Sequence, residues 1–276
     1  MTQAEREARM VRLYDAEILP AYAARFAALL AHAIAVRPAA RIVEIGCATG
    51  ALTLELARRF DLDSHLTAFD ESPAFVAEAR ARVEAEAASH AEVVLAARPG
   101  LLTSIPLGDR TADLVVSNLA VTTAADPRAA VREAARLLVP GGQLAVSAPL
   151  RGSWAEFLDL FREVLRENGK QESLAAVDRY VAALPDGDGV GRWLEAAGLT
   201  QVEVTAARWE ILFKSAREFF YAPLVELGPL AHWKRLSGRG DQMQDVFFFT
   251  KEAIDIYFKD RVFAVTIAGA VVTGRK

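Results

Sequence analysis

One stretch, Arg41-Ile42-Val43-Glu44-Ile45-Gly46-Cys47-Ala48-Thr49-Gly50-Ala51-Leu52-Thr53, restricts this chain more than any other. Ile42, Val43 and Ile45 read as a buried strand that carries an acidic residue, Glu44, near its end. Five small residues, Gly46 to Gly50, then turn the chain into a helical stretch, Ala51 to Phe60. A strand that enters a helix through such a turn brings the helix's unpaired N–H groups to the sheet edge. Bulky side chains would hold a nucleoside-bearing ligand away from that backbone, so small residues mark a ligand loop. A tight strand-to-helix turn with no ligand is the alternative.

The same alternation continues. Strands are expected at 41–46, 65–69, 92–97, 112–118 and 142–148, with helices between them, a pattern that implies a mostly parallel sheet covered on both faces. Val202, Val204 and Ala206 alternate with polar residues in a sixth strand running on to Phe213, and Phe263, Val265 and Ile267 do so in a last strand, 262–273. Tyr22, Phe26, Leu29, Leu30, Ala33 and Ile34 recur at helical spacing, so 21–35 reads as an amphipathic helix ahead of the first strand. In Val139-Pro140-Gly141-Gly142 the proline is expected to stop a helix, 127–138, and the glycines to reverse the chain into a strand.

The turn is G-x-A-x-G and not G-x-G-x-x-G, a poor match to a pyrophosphate cradle. The second strand, His65 to Phe69, ends in Asp70, twenty positions after Gly50, where a carboxylate can accept from both hydroxyls of a ribose. Ser72 can cap the next helix and Pro73 suits its first turn. Together, E-x-G-x-A-x-G, Asp70-Glu71-Ser72-Pro73, and the block Ile105-Pro106-Leu107 with Ala112-Asp113-Leu114-Val115-Val116-Ser117-Asn118 resemble the class I S-adenosylmethionine (SAM)-dependent methyltransferases. That resemblance implies an α/β, Rossmann-like fold whose seven-stranded, mostly parallel sheet ends in an antiparallel strand beside the sixth. It also implies SAM as cofactor, S-adenosylhomocysteine as product, and Glu44, Gly46, Cys47, Ala48, Gly50, Asp70, Glu71, Leu101 and Asn118 at the cofactor.

Two positions depart from the family pattern. Ala48 stands where the middle glycine is usual, adding a methyl where backbone should approach the ligand, and a small shift of loop or ligand is expected. The segment Arg98-Pro99-Gly100-Leu101-Leu102-Thr103-Ser104 lacks the carboxylate that often accepts from adenine, leaving backbone, Thr103, Leu101 or Leu102 to that task.

Composition narrows the classes. A net charge of −4 and a pI near 5.7 argue against sequence-independent nucleic-acid binding, and Lys234, Arg235 and Arg239 are too few for a groove. Arg25 and His32 interrupt the early alanine-rich helix, the N-terminus lacks an apolar signal core, and no membrane span is expected. A single cysteine permits no intrachain disulfide, so the cytoplasm is the expected compartment. Cys47 is expected to pack and not to react. No oligomeric state follows from the sequence.

Between the last two strands lie 48 residues, 214–261, too many for a bare loop. Ser215-Ala216-Arg217-Glu218 is a capping box ahead of Phe219, Phe220, Leu224, Val225 and Leu227, and Met243 to Phe258 suggests a second helix or pair. The expected organisation is an N-terminal helical segment, 1–38, a cofactor-binding core, 39–213, a helical lid, 214–261, and a final core strand, 262–276. A stabilising or dimerising appendage is the alternative for the lid. Asp186 and Asp188 in Pro185-Asp186-Gly187-Asp188-Gly189 read as a turn and not as a calcium loop, and no metal is expected.

Methyl transfer from a sulfonium is an in-line displacement in which alignment does most of the work, on the order of 7–11 kcal/mol in ideal cases. A carboxylate acceptor needs no general base, whereas a hydroxyl usually does. Of His32, His65, His90 and His232, only His232, in the lid, is a candidate base. Ser117-Asn118-Leu119-Ala120 is not the motif of enzymes that methylate the amino groups of bases or of glutamine. With Gly152-Ser153-Trp154-x-Glu156 and the long insert, it distantly resembles the malonyl-acyl-carrier-protein O-methyltransferases of biotin synthesis over roughly residues 40–165. That implies a small-molecule or carrier-bound acyl acceptor methylated at oxygen, with Tyr14, Trp154, Phe220, Tyr221 and His232 as pocket residues. Two alternatives stay open: a SAM-binding assembly or regulatory protein without transfer activity, and a nucleotide-dependent oxidoreductase.

Overall fold

In the computed structural model, residues 2–86, 92–98, 100–259 and 261–276 are described; His90 and Pro99 lie outside them. The chain begins with α1 (Gln3–Leu13), a π-helix (Tyr14–Ala23) and α2 (Ala24–Ala33). The alternating part follows as β1 (Arg41–Ile45), α3 (Ala51–Arg59), β2 (His65–Asp70), α4 (Pro73–Ala85), β3 (Glu92–Ala97), a 3-10 turn (Leu101–Thr103), β4 (Ala112–Asn118), α5 (Pro127–Leu137) and β5 (Leu138–Pro149). Helices α6 (Ala155–Glu167), α7 (Gln171–Ala183) and α8 (Gly187–Ala196) precede β6 (Thr200–Phe213). Then come α9 (Ala216–Tyr221), α10 (Pro223–Glu226), α11 (Leu230–Leu236), α12 (Asp241–Tyr257) and β7 (Phe263–Arg275).

The strands form one sheet in the order β3-β2-β1-β4-β5-β7-β6, with β7 antiparallel to β5. Strand β1 pairs in parallel with β2 on one side and β4 on the other, so chain order reverses at its edge. In open α/β sheets the crevice at that reversal, at the carboxyl ends of the strands, is where ligands bind. The turn after β1 therefore sits where a ligand loop must.

The chain divides into two compact units. The first comprises Met1–Pro149, Gly187–Ala206 and Gly269–Lys276. Its core joins Leu30 of α2 and Ile34 just after it to Leu52 and Leu56 of α3 and to Ile42, Leu66, Leu114 and Val116 of the sheet. Val76 and Ala79 of α4 pack with Cys47, Ala68 and Leu95. The second unit comprises Leu150–Asp186 and Ala207–Ala268, so α6 and α7 fold with the segment between the last two strands. Its centre is aromatic: the Phe157 ring stacks on Trp233 at 4.2 Å, and Phe219 packs edge-on against Phe263 at 5.2 Å. Contacts of this kind add about 0.5–1.5 kcal/mol each beyond area burial.

Several local expectations need correction. The helix expected at 21–35 is the last part of a longer helical run, because Pro20 lies inside the π-helix and does not end it. In an α-helix proline removes one N–H donor and clashes with the carbonyl four residues back; here the chain is wound as a π-helix across that position. Pro140-Gly141-Gly142 does not precede β5 but lies within it, with a register shift against β4 between Ala112 and Leu114; α5 stops earlier, at Leu137. Gly187, Asp188 and Gly189 form the first turn of α8, so the expected turn shrinks to the residues before them. The Glu218 carboxylate accepts from the Lys214 N–H and not from that of Ser215, while Ser215 Oγ caps the Glu218 N–H.

Candidate functional site

The turn after β1 is tied to the second strand. Gly46 and Cys47 N–H both donate to the Phe69 carbonyl, at 2.8 and 2.9 Å, and Gly50 N–H donates to the Cys47 carbonyl at 2.9 Å. Gly46 and Gly50 have φ of +82° and +81°. The space their missing side chains release is filled by protein and not by a ligand. A Cβ on Gly46 would stand 2.2 Å from that of Ala120, and one on Gly50 2.8 Å from Cα and Cβ of Ala79. The glycines therefore set the backbone path, and the loop's reach toward a ligand follows from that path. Ala48 has φ of +45° and so holds a conformation that favours glycine.

Asp70, at the tip of β2, accepts from Ala48 N–H and from Ser72 N–H, each at 2.9 Å. It is half-buried, and burial raises its pKa against the pull of those two bonds. Each oxygen keeps a lone pair for a further donor. Ser72 caps α4 by accepting from Phe75 N–H, and Pro73 opens that helix. Glu71 is exposed. Glu44 is buried; its Oε2 accepts from the Thr53 hydroxyl at 2.6 Å, and Oε1 is buried with no partner. Burial pushes its pKa up to about 7, with Thr53 opposing and Asp70 adding to the rise. Cys47 is buried and its thiol is pushed up by burial and by Glu44 and Asp70, so it stays protonated and inert.

The N-terminal π-helix closes over this loop. Asp15 accepts from the Thr49 hydroxyl at 2.5 Å and from Arg82 of α4 at 2.7 Å. Tyr14 meets Phe75 edge-on at 5.3 Å, and burial, then the charge of Asp70, raises its pKa. Asn118, at the tip of β4, donates to the Ala23 carbonyl at 3.1 Å and accepts from Ser147 Oγ at 2.7 Å, so both ends of its amide are engaged within the protein. Leu101 is buried at the start of the 3-10 turn. Thus Tyr14, Glu44, the Gly46–Gly50 turn and Asp70 meet at one place, whereas Glu71 points to solvent.

Sequence reasoning missed Asp15, Thr49, Thr53 and Arg82. Asp15 is 34 residues from Thr49 and 67 from Arg82, and no local spacing encodes such pairs. Replacing Asp15 by alanine removes one acceptor from two donors. About tenfold faster amide exchange across Tyr14–Ala23 is expected, the equivalent of about 1.4 kcal/mol, with the amides of β1 unchanged. Unchanged exchange in the π-helix would show that the pair does not hold it.

In the helical unit, Gly152-Ser153-Trp154-x-Glu156 has a structural explanation. Ser153 Oγ donates to the Ala268 carbonyl at 2.8 Å, Trp154 N–H donates to the Thr266 carbonyl at 2.8 Å, and Glu156 accepts from both the N–H and the hydroxyl of Thr266. Trp154 is buried against Phe219 and Trp233. Phe220 and exposed Tyr221 line a cavity of about 360 Å³ with Leu230, Lys234, Phe247 and Phe248. Trp154 and His232 are not in its lining. The half-buried His232 ring lies 4.6 Å from that of Tyr180 with Arg235 at its Nδ1, and partial burial and that guanidinium lower its pKa. Among the described residues, no group of three His, Cys, Asp or Glu side chains could hold a metal ion, and no helix is long and apolar enough to cross a membrane.

The loop's charges select among ligands. Glu44, Asp70 and Asp15 surround it, and Arg82, the arginine beside Tyr14, is paired with Asp15. A diphosphate would meet uncompensated carboxyls there. A cationic nucleoside fits: an unpartnered buried oxygen for a positive charge, and a strand-tip carboxylate for a ribose.

Comparison with known proteins agrees. A family model described as "Methyltransferase domain" matches residues 43–146. The chain is 37% identical over 109 residues to a malonyl-[acyl-carrier protein] O-methyltransferase of Hahella chejuensis, covering 40% of this chain and 36% of that protein. It is 31% identical over 201 residues to another from Herminiimonas arsenicoxydans, covering 73% and 67%. A Bacillus halodurans protein proposed to be a methyltransferase superposes with a TM-score of 0.57 at 20% identity, covering 91% of this chain and 98% of the other, and so shares the fold. The strand order, the acid-lined loop after β1 and these relatives place the chain in the class I SAM-dependent methyltransferase family.

Proposed function

We propose that this enzyme methylates an oxygen of a small molecule or of a carrier-bound acyl group. The likeness to two malonyl-[acyl-carrier protein] O-methyltransferases, one of them over 73% of this chain, carries the reading. When bound, SAM supplies a methyl group on a sulfonium and leaves as S-adenosylhomocysteine. The chain's own part is to bind and orient. Asp70 is proposed to accept from the ribose hydroxyls, and Glu44 to face the positive end of the ligand. Gly46, Cys47, Ala48 and Gly50 supply the backbone against which it lies, with Leu101 and the neighbourhood of Asn118 and Glu71 at its edges. Tyr14 covers the loop and excludes water. In the helical unit, Phe220 and Tyr221 offer apolar surface to an acceptor, and Trp154 fixes the framework that carries them.

A carboxylate is the acceptor that suits these residues best, because it attacks without a base. The test is incubation of the protein with SAM and either a malonyl thioester of an acyl carrier or a panel of hydroxylated small molecules, followed by mass spectrometry. A methyl ester on the malonyl carboxylate, formed at an unchanged rate by a His232→Gln variant, is the expected result. Methylation of a hydroxyl that the variant loses would assign His232 as base and overturn the carboxylate reading. The strained Ala48 favours a second reading, cofactor binding without transfer; saturable SAM binding with no methylated product from either set would support it.

A further inference from the structure

We propose that Glu44 carries a proton before SAM arrives and releases it to solvent when the cationic cofactor binds, so that binding expels a proton and weakens in acid. The inference rests on the cofactor reading above and adds a proton to it. Glu44 is 1% exposed; one oxygen is held by the Thr53 hydroxyl and the other is buried without a partner. The groups around it are mostly acidic or neutral: Asp70 from β2, the Cys47 thiol from the turn, and Tyr14 and Asp15 from the π-helix. Arg82 of α4, the cation beside Tyr14, is bound to Asp15 at 2.7 Å.

A buried carboxylate with no counter-charge is costly, and taking up a proton is the way such a group avoids that cost. SAM carries two positive groups, an ammonium and a sulfonium. A cation bound at this turn reverses the balance: the carboxyl ionises, its O–H bond breaks, the electron pair stays on oxygen and the proton passes to water. The bound state then holds fewer protons than the free state, so affinity rises with pH until the free carboxyl is itself ionised.

Calorimetric titration with SAM in buffers of different ionisation enthalpy reads this directly. Release of most of a proton per ligand is expected at pH 6, falling to about half a proton at pH 7, a range in which the ligand's own ammonium stays charged. The Kd should be about fivefold weaker at pH 6 than at pH 7. Glu44→Gln should bind with no proton release and a flat profile. Thr53→Val, which removes the bond favouring the carboxylate, should move the release to higher pH, and this holds as a test even where the glutamine variant does not fold. S-adenosylhomocysteine, which keeps the ammonium, should release the proton, and methylthioadenosine, which has neither positive group, should not. Binding heats that do not depend on the buffer, or equal release with methylthioadenosine, would overturn the proposal and leave the cofactor reading intact. Absence of SAM binding at every pH would overturn both.

Discussion

Asp70→Ala is expected to weaken SAM binding by about 100- to 1,000-fold, a loss of about 3–4 kcal/mol, in a protein that still folds. Two effects add. The variant loses the acceptors proposed for the ribose hydroxyls, and it frees the Ala48 and Ser72 N–H groups that now end on this carboxylate. Asp70→Asn separates them. An amide keeps one acceptor oxygen but turns an NH₂ group toward the other backbone N–H, so an intermediate loss is expected, with part of the loop order retained. An S-adenosylhomocysteine analogue lacking the ribose 2′-hydroxyl isolates the ribose contact. It should bind the wild type more weakly than the parent ligand and bind Asp70→Ala with the same affinity as the parent. If the analogue loses as much in the variant as in the wild type, Asp70 acts on the loop alone and the ribose contact fails.

What could be read ahead of the structure was what chain-local chemistry encodes. The strand from Arg41 to Ile45, the turn of small residues, the cap at Ser72 with Pro73, and the carboxylate at the strand tip each announce themselves within a few residues. The family resemblance added the position of β7, which lies antiparallel between β5 and β6. What could not be read depends on partners distant in sequence. Nothing near Asp15 indicates Thr49 or Arg82, and nothing near Asn118 shows that its amide would be divided between Ala23 and Ser147. The helix expected at 21–35 was too short for a different reason, since the helical run extends back through Pro20. A proline is a good sign that an ordinary helix ends, and the chain carries it in a widened one. The purpose of Gly46 and Gly50 was likewise half legible: their smallness was plain, but the neighbours that require it, Ala120 and Ala79, come from elsewhere in the fold.

Gly46 gives the sharpest test of that point. Gly46→Ala should destabilise the protein by about 2–4 kcal/mol, about 4–16 °C in Tm, and should abolish measurable SAM binding. Part of the loss is conformational, since φ of +82° is one that alanine reaches only at about 1–2 kcal/mol. The rest is collision, with the new methyl 2.2 Å from the Ala120 Cβ. Ala120 has little room to withdraw: its N–H is held by the Asn118 carbonyl at 2.9 Å, and Leu119 before it already has φ of +71° and donates to Ser147 Oγ. The turn must move instead, and the Gly46 and Cys47 N–H groups, both bound to the Phe69 carbonyl, carry that shift to Asp70, the next residue along β2. The double variant Gly46→Ala with Ala120→Gly removes the collision and keeps the backbone strain. It should recover about half of the lost stability and bring SAM binding back into the measurable range. A double variant as unstable as the single one would show that the contact with Ala120 is not what fixes this glycine.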